Sequence, residues 1–266
     1  SFSTNAQITT GSNYDVAFSS DGTAMYVNAF SMNTVFQYTL STAWDISTAS
    51  YASKSLNHSS TVVSVFAMDF STNGTELYLL GQDVDTIYQF DLSTAWDIST
   101  ASYVSKSYAV SQDNSNEALK FSSDGTKLYT GGSATDTIYQ HSLSTAWDLS
   151  TATYDSVNFS AASQDTRVRS VDFNSTGSKM FICGADTDTV YQYSLSTAWD
   201  LSTSTYDSVS FSVASQETNP YGFCFGNDGI KMYLSGSTAD VIYQYSTVAY
   251  TQTLDLSTGT TFSFTP

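Results

Sequence analysis

Apolar and polar residues alternate along this chain in short runs, and no long stretch of good helix formers occurs. Thr189–Leu195 (Thr-Val-Tyr-Gln-Tyr-Ser-Leu) and Tyr206–Phe211 (Tyr-Asp-Ser-Val-Ser-Phe) show the pattern. Successive side chains of a strand point to opposite faces, so this period of two predicts β-strands. A first set of short apolar runs ends at Phe18, Phe70, Phe121, Phe173 and Phe225. Turns follow at Asp21-Gly22, Asn73-Gly74, Asp124-Gly125, Thr176-Gly177 and Asp228-Gly229. Asn-Gly and Asp-Gly take the positive φ angles of tight hairpins without strain, so each run should fold back on a second strand. These second strands are expected at Ala24–Asn28, Glu76–Leu80, Lys127–Gly131, Lys179–Cys183 and Lys231–Ser235.

Third strands are expected at Thr34–Leu40, Thr86–Leu92, Thr137–Leu143, Thr189–Leu195 and Asp240–Tyr245, each with a glutamine at its centre. More polar fourth strands should run through Tyr51–Leu56, Tyr103–Val110, Tyr154–Phe159 and Tyr206–Phe211. Between third and fourth strands stands Ser-Thr-Ala-Trp-Asp, four times over. Its tryptophans, Trp44, Trp96, Trp147 and Trp199, are 52, 51 and 52 residues apart. Four antiparallel strands in each repeat of roughly 50 residues is the signature of a β-propeller blade. Five repeats predict one five-bladed, all-β propeller over residues 1–266. Ser1–Thr4 (Ser-Phe-Ser-Thr) matches the fourth strand at Ser210–Val213, so it should complete the last blade and close the ring by exchange between the termini. Thr260–Thr265 also resembles a fourth strand, which leaves one terminal strand surplus and free for self-association.

With 15% aromatic residues and only two prolines, the chain has the means to form a packed core. Eight basic residues against 25 acidic ones leave a net charge of −17. Phosphate backbones and anionic membranes are bound by Lys and Arg clusters, so nucleic acid is excluded as a partner. Membrane insertion is excluded too, since no apolar run approaches the ~18 residues of a span. Cys183 and Cys224 are too few for a disulfide framework and are expected as buried thiols. A start at Ser-Phe-Ser, without methionine or signal pattern, leads us to expect a processed product or an excised piece.

Ser123–Leu143 (Ser-Asp-Gly-Thr-Lys-Leu-Tyr…Asp-Thr-Ile-Tyr-Gln-His-Ser-Leu) resembles YVTN-type and gluconolactonase-like propeller repeats, which implies the fold alone. The longer pattern Leu92–Tyr103 (Leu-Ser-Thr-Ala-Trp-Asp-Ile-Ser-Thr-Ala-Ser-Tyr) resembles repeats in structural and tail-associated proteins of marine bacteriophages. That resemblance spans nearly the whole chain and implies a place on a virion surface or cell exterior.

Chemistry is harder to find. Only two histidines occur, His58 and His141, in non-equivalent positions, so no nucleophile–histidine pair is expected. The Asp-x-Asp loops at Asp83/Asp85 and Asp186/Asp188 lack the rest of a calcium loop and should cap turns, so neither metal nor cofactor is expected. The Trp-Asp pair could stack on a sugar or simply pack and cap its turn. Acids on first strands (Asp15, Asp69, Glu117, Asp172) would suit a glycan-cleaving enzyme, yet structural hydrogen bonds explain them as well. Where the copies differ is informative. Four residues before each conserved-in-repeat Phe stand Tyr14, Phe66, Glu117, Arg169 and Tyr221, at one mouth of the central channel. Asn116, Arg167 and Asn219 lie beside them. Variation on one mouth of a copied scaffold suggests a binding face. The expectation is therefore a non-enzymatic, lectin-like adhesin on a cell or virion surface. It would bind glycans or a host surface component through Tyr14, Phe66, Asn116, Glu117, Arg167, Arg169, Asn219 and Tyr221. A purely structural virion or fibre component is the alternative, and a glycan-cleaving enzyme the second.

Overall fold

The computed structural model describes residues 1–9, 12–226, 229–238 and 240–247. After a short strand β1 (Phe2–Ser3), the chain makes a first sheet of β2 (Asn13–Phe18), β3 (Ala24–Ala29), β4 (Thr34–Leu40) and β5 (Ala49–Asn57). The second sheet is β6 (Val65–Phe70), β7 (Glu76–Gly81), β8 (Thr86–Leu92) and β9 (Ala101–Ala109). The third is β10 (Asn116–Phe121), β11 (Lys127–Gly132), β12 (Thr137–Leu143) and β13 (Ala152–Ser160). The fourth is β14 (Val168–Phe173), β15 (Lys179–Gly184), β16 (Thr189–Leu195) and β17 (Ser204–Ser212). The fifth takes β18 (Pro220–Gly226), β19 (Lys231–Gly236) and β20 (Val241–Ser246) from the end of the described chain, and β1 from its beginning. All neighbours pair antiparallel. The first strand of each sheet lies innermost and touches the first strands on either side, β18 meeting β2 to close the five-bladed ring.

Closure is thus made by the N-terminal strand, with Phe2 opposite Ile242 and Ser3 opposite Val241. Thr260–Thr265, the other candidate, lies outside the described residues. Third strands fall where the glutamine pattern put them. Fourth strands begin about two residues earlier than expected, because the segment after each tryptophan is one short 3-10 turn, such as Leu149–Thr151, and not a longer loop.

The apolar core lies between blades. Tyr26 and Val35 of the first blade share a cluster with Val65, Met68 and Leu77 of the second, and the other junctions repeat this. Two hydrogen bonds recur at these junctions. The Tyr26 hydroxyl donates to the Trp96 carbonyl (2.6 Å), Tyr78 to Trp147 (2.5 Å), Tyr129 to Trp199 (2.6 Å) and Tyr233 to Trp44 (2.7 Å). The glutamine at the centre of the third strand accepts from the next blade's short turn: Gln37 from Ile98 N, Gln89 from Leu149 N, Gln140 from Leu201 N and Gln244 from Ile46 N. A buried polar group left without a partner costs 1–3 kcal/mol, which explains why a glutamine persists on an otherwise apolar strand. Tyr129→Phe removes one donor and orphans the Trp199 carbonyl. It should cost about 1–2 kcal/mol, read as a lowered Tm in calorimetry; an unchanged Tm would show that water replaces the hydroxyl.

Candidate functional site

Every innermost strand carries a β-bulge near its start. Register shifts occur between Asn13 and Asp15, Val65 and Ala67, Asn116 and Ala118, Val168 and Ser170, and Pro220 and Phe223. A bulge re-aims the side chain it carries. Here it brings Tyr14, Phe66, Glu117, Arg169 and Tyr221, one from each blade, together. Tyr14 stacks on Tyr221 at 3.8 Å between centroids and on Phe30 at 4.2 Å, while Phe66 meets Tyr14 edge-on at 4.9 Å. The Arg169 guanidinium lies 3.9 Å over the Tyr221 ring and pairs with Glu117, both fully buried. Glu117 also accepts from Ser133 Oγ (2.8 Å) and Gln82 Nε2 (3.1 Å). Asn116 is buried and donates to Asp85 Oδ1 and the Asp113 carbonyl. Asn219 donates to Ser237 Oγ, and Arg167, half-buried, donates its backbone N–H to Asp165. The five bulge residues fill their end of the channel with one another.

The other end of the channel is open. A cavity of about 440 Å³ runs from the middle of the axis to the turns that carry the tryptophans. Its floor is the residue just before each Phe: Asp69, Lys120, Asp172 and Cys224, with Asp15 deeper in the first blade. Lys120 Nζ stands 3.3 Å from both Asp69 Oδ1 and Asp172 Oδ1, reaching across the axis between blades on either side of its own. Burial disfavours the ammonium, but Asp172 and Asp69 outweigh it and hold Lys120 firmly charged. The acids are also interblade latches. Asp15 accepts from Met68 N (2.7 Å), Asp69 from Phe121 N (2.8 Å) and Asp172 from Phe225 N (2.8 Å). Burial pushes the Asp15 carboxyl up to about 7, with the Met68 and Val16 N–H groups and more distant Lys120 pulling the other way. Asp69 is raised as well, by burial, and relieved in part by Lys120. One fixed cation flanked by carboxylates, in a cavity also lined by an acid raised toward neutrality, is a constellation suited to proton transfer at an electrophilic centre.

The remaining candidates are structural. His141 is buried between Tyr108 and Thr130 and driven down to about 4 by burial; His58 bonds the Val62 carbonyl. Burial raises both cysteine thiols well above their ordinary range, so neither is a thiolate nucleophile. The repeated Trp-Asp pairs pack and cap. Asp148 accepts from Ser150 N and Oγ, and its counterparts do the same. In the loops, Asp83 accepts from Ser64 and Asp186 from Thr166. Among the described residues no three His, Cys, Asp or Glu side chains converge as a metal site, and no helix there is long and apolar enough to cross a membrane.

No protein-family model and no curated protein sequence matches the chain. Solved structures do. A protein of Lactobacillus plantarum superposes with a TM-score of 0.57 at 14% identity, over 96% of this chain and 70% of its own. A Bacteroides uniformis protein, provisionally assigned as a 6-phosphogluconolactonase, gives 0.55 at 14% identity over 91% and 70%. A Bacteroides fragilis protein with the same provisional assignment gives 0.51 at 13% over 76% and 55%. At this identity the likeness is one of fold.

These neighbours correct one expectation. A non-enzymatic recognition module was expected, yet two of these three solved chains that share the fold carry a provisional assignment as lactone-hydrolysing enzymes. The physical reason lies in the axis: the row at the bulge varies between blades, but so does a second row, Ala17, Asp69, Lys120, Asp172 and Cys224, and it is this one that lines the open cavity. A single lysine among acids in that row was the available signal.

Proposed function

We propose that this protein hydrolyses neutral lactones in the axial cavity. The observation that carries the reading is Lys120, held cationic between Asp69 and Asp172 in the cavity that Asp15 also lines, with the Asp15 carboxyl pushed up to about 7 by burial. Its support from outside is the provisional lactonase assignment of proteins with the same fold. The lactone carbonyl oxygen faces the Lys120 ammonium, which stabilises the charge that grows there as water adds. Ionised Asp15 takes a proton from that water as its oxygen bonds to the carbonyl carbon. The ring C–O bond then breaks, and the leaving oxygen takes the proton back from Asp15. The product is a hydroxy acid whose new carboxyl group gives up its proton to solvent; the resulting carboxylate is repelled by the floor and leaves.

Charge decides between lactone classes. The floor sets one cation, Lys120, against Asp69, Asp172 and, above pH 7, Asp15. The whole chain carries −17. A phosphorylated lactone adds about two negative charges to this environment, and with no basic cluster to receive them it is disfavoured. Hydrolysis outside the cell fits the exterior or virion-surface location that the longer repeat resemblance implies.

The test is a pH profile on an uncharged lactone. Asp15 acts ionised, so kcat/KM should rise with pH, change slope near 7 and fall about tenfold per unit below it. Asp15→Asn should remove both the rate and the inflection. A profile flat from pH 5 to 9, or turnover of the phosphorylated lactone only, would remove this reading.

A further inference from the structure

Four of the five blade junctions are closed by the same hydrogen bond, from the second-strand tyrosine to the next blade's tryptophan carbonyl. In three of them the indole also lies against that tyrosine, Trp96 on Tyr26, Trp147 on Tyr78 and Trp199 on Tyr129. The junction of the fourth and fifth blades departs from this on both sides. Phe181 replaces the tyrosine, and the chain's four tryptophans are all used elsewhere. Thr251, which holds the tryptophan's place in the repeat, lies outside the described residues. Phe181 packs instead on Phe225 at 4.5 Å, which packs edge-on to Phe223 at 5.8 Å. Phe223 is itself a departure: Val16, Met68, Leu119 and Val171 hold its place in the other blades.

The cavity follows this departure. Among second-strand aromatics it touches Phe181 and none of Tyr26, Tyr78, Tyr129 or Tyr233. Its wall there is Phe181, Phe223 and Phe225. The notch adjoins the charged floor, since Phe225 N donates to Asp172, and Cys224 between the two phenylalanines is itself floor. An apolar cavity of about 150 Å³ holds one benzene, so 440 Å³ leaves room beside a single lactone ring.

We propose that the notch between the fourth and fifth blades is an apolar subsite that selects lactones bearing an alkyl or aryl substituent. The lactone ring sits at Lys120 and the substituent lies against Phe181, Phe223 and Phe225. This rests on the lactone-hydrolase reading for the reaction, but the subsite is tested without turnover. Binding of a hydrolysis-resistant pair, δ-valerolactam and the same lactam with a five-carbon chain, is measured by calorimetry or indole fluorescence. The chain should tighten binding at least tenfold in the wild type. Phe181→Tyr, which restores the residue of the other blades and pushes a hydroxyl into the notch, should reduce that ratio to about threefold or less. Phe223→Leu, the residue at the equivalent Leu119, gives a second variant with an independent chance of folding and should lower the ratio too. Equal affinity for both lactams in the wild type, or an undiminished ratio in both variants, overturns the proposal. Selective lactam binding with no lactone turned over upholds the notch and overturns the hydrolase reading alone.

Discussion

Lys120→Met should lower kcat/KM for an uncharged lactone by about 10²–10³-fold, the usual cost of losing one preorganised donor to a developing oxyanion. Lys120→Arg keeps the charge and should retain a measurable part of the rate. The methionine variant also has a stability signature, and its sign can be worked out. In the wild type Asp69 and Asp172 face one another across the axis with the ammonium between them. Without it, burial and mutual repulsion raise the folded-state pKa of Asp69, already above its ordinary value, further still. A group whose folded pKa is raised above its unfolded one costs stability as pH climbs through that interval. Lys120→Met should therefore melt well below the wild type at pH 8 and approach it at pH 5. Rate loss with an unchanged pH dependence of Tm would mean that Lys120 does not neutralise the pair. An unchanged rate would remove it from the chemistry altogether.

The blades were legible because each is written in residue types with little choice. Asp124-Gly125 and Asn73-Gly74 mark hairpins by backbone conformation alone, and Ser-Phe-Ser-Thr at Ser1–Thr4 repeats the wording of the fourth strand at Ser210–Val213. The glutamines were visible as a repeated oddity, but their partner is a backbone N–H of the next blade, and one-dimensional patterns carry no information about which blade faces which. The bulges left still less trace. Nothing in Asn13-Tyr14-Asp15 or Val168-Arg169-Ser170 distinguishes a regular strand from one with an extra residue, yet the bulge decides whether Tyr14 and Arg169 face solvent or the axis. That is why a ring of aromatic and charged residues that reads as an open binding face is, in the fold, a set packed chiefly on itself. The floor of the cavity was obscured differently. Asp69 and Asp172 read equally well as latches and as acids, and in the structure both latch the next blade while holding Lys120.

Gly74→Ala should destabilise the fold by about 2–5 kcal/mol, more than any single hydrogen-bond deletion between blades. Two costs add. Gly74 has φ of +74°, in the left-handed region where a Cβ costs roughly 1–2 kcal/mol. The second cost is packing. A Cβ on Gly74 would run into the Trp96 indole, which has no room to retreat because it is held between Phe70 and Tyr26; overpacking of that kind costs about 1–3 kcal/mol. Trp96 is also anchored through its backbone, donating its N–H to the Gly74 carbonyl at 2.9 Å, and it is left-handed itself at φ 64°. A non-glycine residue persists in that region only when its surroundings over-determine it. Here the glycine below the ring and the neighbouring tyrosine hydroxyl on its carbonyl do so. The same arrangement occurs at Gly22 with Trp44, Gly125 with Trp147 and Gly177 with Trp199. Alanine at Gly125 should thus cost as much as at Gly74, which urea unfolding of the two variants checks directly. A loss below 1 kcal/mol at both would show that the indole moves aside and that the Trp-over-Gly contact contributes little to holding the ring.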